Sequence, residues 1–184
     1  METTAVLQKT KWKIDPMHSE VQFKVKHLLI STLTGSFKTF NGEVTTQSDD
    51  FENAKIEFSI EANSLTSNLE IRDKQLKGAE FFDVENHPFI TFRSTTFLKS
   101  KRGGYILSGT LTIKGISKEI RAIVDFGGFN KDSRGNAKAG FELTATISRR
   151  DFGINYNKLT AGGDQEVSED VLLQANIQVA KEQE

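Results

Sequence analysis

The chain lacks cysteine entirely and carries two tyrosines and one tryptophan among its 184 residues. Without thiols there is no disulfide, no thiolate nucleophile and no zinc–thiolate site, and the fold is indifferent to redox compartment. A dominant charge is also missing. The 24 basic and 25 acidic residues leave a net charge of -1, so no global field favours nucleic acid or an anionic membrane surface as partner. Long apolar runs are absent too. Near the N-terminus only Ala5-Val6-Leu7 is apolar, too short for the hydrophobic region of a signal peptide or for a transmembrane segment. The expectation is a cytoplasmic protein as written; a leader exchanged for the start Met would leave the same sequence and place it in the periplasm. No glycine-rich phosphate loop, dinucleotide fingerprint or glycosidase-like acid pair occurs.

What the chain does have is phenylalanine, 14 of them. Phe brings apolar surface without a polar handle, which suits a dry interior better than a base-stacking platform. The rest is strand pattern. From Ala137 to Ile147 every odd position is apolar or small and every even one from Lys138 to Thr146 is polar or glycine, the signature of a strand with one buried face. Eight segments alternate in this way, roughly 20–26, 35–46, 54–61, 89–98, 104–114, 117–127, 137–148 and 170–180. Lys101–Gly104, Lys114-Gly115 and Asp132–Asn136 separate neighbours as hairpin turns would. Between Phe37 and Phe40 the phase slips, as at a bulge in a long curved strand. The expected fold is all-β, an extended eight-stranded antiparallel barrel over residues 11–180, with tails at 1–10 and 181–184.

One stretch departs from alternation. Ser67 stands three residues before Glu70 as a capping box, and Leu69, Arg72, Asp73 and Leu76 share a helical face. A short helix here, followed by Phe81-Phe82, predicts a lid on one open end of the barrel; an outer connector is the alternative. The small residues Gly109, Ala122, Ala139, Ala145 and Ala175 on the inward face either receive neighbouring Phe rings or leave a tunnel, and periodicity leaves both open.

The polar residues offer little chemistry. His87 precedes Pro88 in a loop, while His18 and His27 flank one strand, a poor arrangement for a metal. Asp15, His18 and Ser19 lie too close in sequence for a nucleophilic triad and are expected to anchor the strand start. Arg72-Asp73 and Arg150-Asp151 read as paired charges, or as a guanidinium at the barrel mouth.

Beginning at Trp12-Lys-Ile-Asp15-Pro-Met-His18-Ser19-Glu-Val21-Gln-Phe23, the chain resembles the YceI-like family of bacterial lipid-binding proteins. The likeness continues through His27-Leu28, Gly35-Ser-Phe37, Arg72-Asp73, Phe81-Phe82-Asp83, Pro88–Ser94, Gly109–Gly115 and Ser148–Ile154. It implies a lipocalin-like barrel that holds the tail of a polyisoprenoid, an isoprenoid quinone or a fatty-acid-like lipid without covalent chemistry, metal or cofactor. Family members are mostly exported with a leader, from which this chain as written departs, and they suggest a homodimer. On this reading Phe23, Phe37, Phe58, Phe92, Val124, Phe141, Leu143 and Ala145 wall the site, and Arg72, Phe81 and Phe82 stand at its mouth, with no catalytic or metal-binding residue. The rivals are a small-molecule enzyme using the same cavity and a solid-cored stress or interaction protein.

Overall fold

The alternation after Ala137 becomes strand β10 (Ala137–Ser148), with Ala139, Phe141, Ala145 and Ile147 buried and Glu142, Thr144 and Thr146 exposed. The computed structural model describes residues 8–48 and 50–183; Ala5-Val6-Leu7 and the ends of both expected tails lie outside the described residues. The remaining strands are β1 (Thr10–Ile14), β2 (Glu20–His27), β3 (Ser31–Phe37), β4 (Phe40–Thr46), β5 (Lys55–Glu61), β6 (Leu65–Thr66), β7 (Phe89–Lys99), β8 (Tyr105–Ile113), β9 (Ile116–Lys131) and β11 (Asp170–Lys181). All pairings are antiparallel, in the order β1-β4-β5-β7-β8-β9-β10-β11, and β1 pairs back onto β11 to close an eight-stranded ring. Closure leaves the main ring without a free edge, while the Ser31–Gly35 part of β3 pairs only with β2.

Two of the ring positions are broken strands. β1 and β2 share one edge of β11, Ile14 lying opposite Val179 and Glu20 opposite Asn176. The surplus residues between them form a 3-10 turn at Pro16–His18, with Asp15 accepting the Met17 N–H at 3.1 Å and Pro16 in the first turn where no donor is needed. The next position passes from β3 to β4 across Lys38 and Thr39. Their backbone N–H groups both donate to the Ser64 Oγ, at 3.1 and 3.0 Å, which fixes the phase slip seen in the sequence. β8 and β9 are joined by Lys114-Gly115 with φ of 52° and 71°, the left-handed pair that suits a two-residue hairpin.

Strand curvature comes from register shifts at Ser94/Thr96 and Gly140/Phe141 and from glycines under aromatic rings. A Cβ at Gly35 would fall 2.2 Å from the Phe23 ring, and one at Gly109 would fall 2.5 Å from the Phe92 ring and 2.4 Å from the Arg93 carbonyl oxygen. At Gly109 the backbone oxygen cannot yield, so another residue there would distort the strand; at Gly35 the Phe23 ring would have to move.

The helix is present as α1 (Glu70–Lys77), but its expected cap is not. The residue preceding it is Leu69, which makes no side-chain cap bond. Ser67 instead donates its N–H and its hydroxyl to Asp73 Oδ1, at 2.6 and 2.5 Å. The capping-box reading fails because Asp73, on the inner side of the helix, takes both donors of Ser67 and leaves it outside the helix. Burial alone would raise the Asp73 pKa, but the bonds from Ser67 and Thr66 outweigh it and hold the carboxyl below its ordinary value.

Buried residues gather at the two ends of the barrel. One cluster, including Phe23, Phe37, Leu65, Phe81, Phe152 and Val171, lies at the α1 end. The other, including Trp12, Phe51, Phe97, Tyr105, Phe141 and Val179, fills the far end.

Candidate functional site

Between these clusters the barrel encloses a cavity of about 260 Å³. Its wall is set by the inward alternate positions of the strands, so the residues that fix the fold also fix the chemistry of the space. Phe23 of β2, Phe37 of β3, Phe58 of β5, Phe92 of β7 and Val124 of β9 all line it, as do Phe141, Leu143 and Ala145 of β10. Phe81 and Phe82 line it from the segment after α1, together with Leu76 of the helix. Both expectations for the small residues are realised, at different places. Gly109 lies under the Phe92 ring, whereas Ala122, Ala145 and Ala175 face open space.

Arg72 does not belong to the wall; it is half-buried on α1, whose Leu76 is the residue turned to the cavity. The arginine that reaches the wall is Arg149, only 4% exposed. Its guanidinium donates to the carbonyl oxygens of Ile154 at 2.7 Å, Ser168 at 2.9 Å and Val167 at 3.2 Å. Burial pushes its pKa down. Because those acceptors are backbone oxygens of one long loop, the side chain pins residues 149–168 over the α1 end. Sequence reasoning passed over it because Arg150-Asp151 beside it looked like the charged pair. In the structure Arg150 is exposed and meets Glu169 at 3.6 Å and Asn157 at 3.3 Å.

The α1 end is thus covered twice. The Phe82 ring centroid lies 5.6 Å from those of Phe23 and Phe37, and Phe81 meets Tyr156 of the pinned loop at 4.9 Å. The Tyr156 hydroxyl donates to Glu166 at 3.0 Å, and burial, then Glu166, raises its pKa. At the far end Phe51 is a wall residue that alternation could not reveal, since it lies in a loop; only its apolar character among polar neighbours marked it. It sits edge-on to Phe141 at 4.9 Å and beside Trp12 at 5.2 Å.

Among the described residues the polar members of the wall are Gln22, Gln174 and Arg149, and the histidines and acids lie elsewhere, in pairs of their own. Asp15 binds His18 at 2.9 Å, while the Ser19 hydroxyl accepts the Gln178 N–H at 3.0 Å and so serves the backbone, not the imidazole. Burial would raise the Asp15 pKa, and the bonds from His18 and Lys138 bring it below the ordinary value. His27 faces Glu166 and His87 faces Asp83, each at 3.8 Å. Among the described residues no group of three or more His, Cys, Asp or Glu could hold a metal, and no helix is long and apolar enough to cross a membrane.

The sequence matches the YceI-like domain over residues 12–179. A UPF0312 protein of Staphylococcus aureus strain N315 is 33% identical over 170 residues, covering 92% of this chain and 96% of that protein. Among solved structures, the Campylobacter jejuni YCEI protein is 31% identical with a TM-score of 0.72, covering 88% of this chain and 91% of that one. BcnA of Burkholderia cenocepacia superposes with a TM-score of 0.77 at 20% identity, over 90% of this chain and 98% of its own. A polyisoprenoid binding domain from Saccharophagus degradans gives 0.67 at 13% identity, over 93% and 98%. At such identities the last two show a shared barrel fold and nothing finer.

Proposed function

The chain belongs to the YceI-like domain family, and from that footing we propose that it binds a long-chain isoprenoid or similar amphiphilic lipid inside the barrel, without catalysis, to carry or sequester it. The observation that supports this reading is the cavity of about 260 Å³ with an almost wholly hydrocarbon wall. An apolar space of this size has no use for a polar metabolite, because each polar atom moved into it would lose its hydrogen bonds to water and gain none. A hydrocarbon tail gains instead, at about 25 cal/mol per Å² of apolar surface removed from water, against the costs of association and ordering. Phe23, Phe37, Phe58, Phe92, Val124, Phe141, Leu143 and Ala145 supply the contacts, and Phe81 and Phe82 cover the α1 end as a lid. The resemblance of the Saccharophagus degradans domain, named for polyisoprenoid binding, makes isoprenoids the first class to test. Organic extraction of the purified protein followed by mass spectrometry is the direct experiment. A stoichiometric lipid is the expected result, and an empty extract combined with no uptake of added prenol or fatty acid would overturn the reading.

A further inference from the structure

The hairpin between β2 and β3 ends in Leu28-Leu29-Ile30, three aliphatic residues that are 41%, 60% and 83% exposed. The Ile30 N–H donates to the His27 carbonyl at 3.2 Å and closes a turn whose central residues, Leu28 and Leu29, have φ of 52° and 61°. Positive φ at both central positions ordinarily goes with Asn-Gly, because the left-handed backbone disfavours bulkier side chains. Leucine is thus unfavourable here twice, in backbone conformation and in hydration. Single exposed apolar residues need no explanation, but three in a row on a projecting tip mark a contact surface.

The tip is joined to the rim of the α1 end. The Leu28 N–H donates to the Glu166 carbonyl at 2.8 Å, and His27 bridges to Val167, a residue of the cavity wall. The Glu166 carboxylate accepts the Tyr156 hydroxyl, and Tyr156 packs on Phe81 of the lid. In the same loop Leu159 bridges to Gln165 and is 55% exposed. The exposed aliphatic residues therefore continue, through backbone hydrogen bonds, into the elements that close the cavity.

Size and charge indicate what covers the tip. Leu28, Leu29 and Ile30 together expose less than the surface of two whole residues, whereas a stable protein interface takes about 20–30 residues a side. Lys24 and Lys26 precede the tip on β2, alternating with the core residues Phe23 and Val25, and form no ion pair among the described residues. Lys26 Nζ donates to Thr32 at 2.9 Å, which holds it on the hairpin. In the adjoining loop Glu166 and Glu169 are met by Lys158 and Arg150, each at 3.6 Å. At the rise of a strand the apex lies at most about 10 Å beyond Lys26. Apolar groups enter a bilayer interface to about 5–10 Å, with lysine heads left at the level of the phosphates.

We propose that the β2–β3 tip docks the α1 end of the barrel onto a lipid bilayer. Leu28, Leu29 and Ile30 enter the acyl boundary, and Lys24 and Lys26 meet anionic headgroups. The contact is local and mainly apolar, so the near-zero net charge of the chain does not oppose it and salt should weaken it only modestly. The inference goes beyond lipid binding in the cavity and stands or falls separately from it.

Flotation of the full chain with vesicles of phosphatidylcholine and phosphatidylglycerol, free of isoprenoid, tests docking apart from filling of the cavity. The wild type is expected to float with the vesicles. The triple variant Leu28→Asn, Leu29→Gly, Ile30→Thr supplies residues that the turn prefers, so it should bind at least about ten-fold more weakly with no fall in melting temperature. Because the chain has no cysteine, Ser31→Cys beside the tip and Ser133→Cys in the β9–β10 turn, at the opposite end, each take one environment-sensitive dye. Only the dye at 31 should shift to the blue on vesicles. A wild type that stays behind, a triple variant that floats equally well, or a shift at 133 matching the one at 31 overturns the proposal, while uptake into the cavity, read by displacement of an apolar dye, is untouched. If the triple variant melts lower than the parent, Ile30→Ser decides, since Ile30 is the most exposed of the three: several-fold weaker flotation is expected, and unweakened flotation overturns docking. A dimer that the wild type forms and the variant loses, without flotation, would assign the tip to a second copy of the chain and overturn it equally.

Discussion

Filling the cavity from its own wall is the sharpest test of where a tail would lie. Ala145 is buried on β10 opposite Leu173, and its side chain faces the open space. In Ala145→Phe the new ring points into a volume of about 260 Å³. An engineered cavity of about 150 Å³ is enough to hold benzene, so the ring claims about half of the available room or more. A tail burying ~500 Å² gains roughly 12 kcal/mol before the costs of binding. Losing half of that contact removes about 6 kcal/mol, or about four powers of ten in affinity. Stability should respond in the opposite sense from an ordinary core insertion. Overpacking a filled core costs about 1–3 kcal/mol, whereas a ring entering empty space should leave the melting temperature nearly unchanged. Displacement of an apolar dye by farnesol, run beside thermal denaturation, reads both quantities. A variant that melts like the parent and binds like the parent would refute the argument, because the tail would then lie elsewhere. If Ala145→Phe unfolds, Ala175→Phe decides, since Ala175 faces the same space between Leu143 and Val21.

Three further outcomes are expected. Asp73→Ala removes the acceptor of both Ser67 donors and should cost α1 about 1 kcal/mol after allowing for solvent screening, read as roughly five-fold faster amide exchange along the helix. The same bonds set a pH dependence: the Asp73 carboxyl lies below its ordinary value, so its contribution is present above the unfolded-state pKa and is lost as the pH falls through the lowered folded one. Unchanged exchange at neutral pH would detach Asp73 from the lid. Arg149→Met leaves buried carbonyls of Ile154, Val167 and Ser168 without their donor; a loss of about 3 kcal/mol, or about 6–12 °C in melting temperature, is expected, with new proteolytic cleavage within 150–168. Gly109→Ala forces a Cβ to within 2.4 Å of a backbone oxygen and should lower the denaturant midpoint by an amount equivalent to about 1–3 kcal/mol, which an unaltered midpoint would contradict.

Much of this architecture is legible in the chain because it follows from period-two burial. β7, β10 and β11 announce themselves by alternation, and the turn at Asp132–Asn136 by its residues; there Asp132 Oδ1 accepts the N–H groups of Arg134 and Asn136, each at 2.9 Å. What escapes has identifiable causes. β1 is short and is cut from β2 by the Pro16–His18 turn, so Thr10–Ile14 does not stand out as a strand of its own. The Ser31–Thr34 half of β3 is mostly hydroxyl-bearing on both faces and gives no alternation to read. Ser67 fits a local capping pattern, yet Asp73, six residues on, competes for the same donors and wins. The wall residues are readable because inward positions repeat; Arg149 continues that odd-numbered series just past β10, in a 3-10 turn, but its charge masks the inward direction, while Phe51 lies in a loop where only tertiary contacts assign one. Trp12 shows the same limit: its strand position is regular, but that its indole N–H finds no acceptor among the described residues is visible only in three dimensions.

The pairing of β1 with β11 bears on how the protein is made as well as on its shape. Gln178 on β11 reaches the Asp15 carboxylate at 3.3 Å across a sequence separation of 163 residues. During synthesis the hairpins from β7 to β10 can assemble as they emerge from the ribosome, but they form an open sheet whose greasy face has no counterpart. The enclosed space comes into being only when β11 arrives and is held between β10 on one side and β1 with β2 on the other. Such non-local closure is slow compared with hairpin formation, and the exposed Phe-rich face is meanwhile a target for aggregation and for chaperones. A lipid present at that moment would meet an open trough instead of a lidded barrel, so loading during folding needs no gate to open.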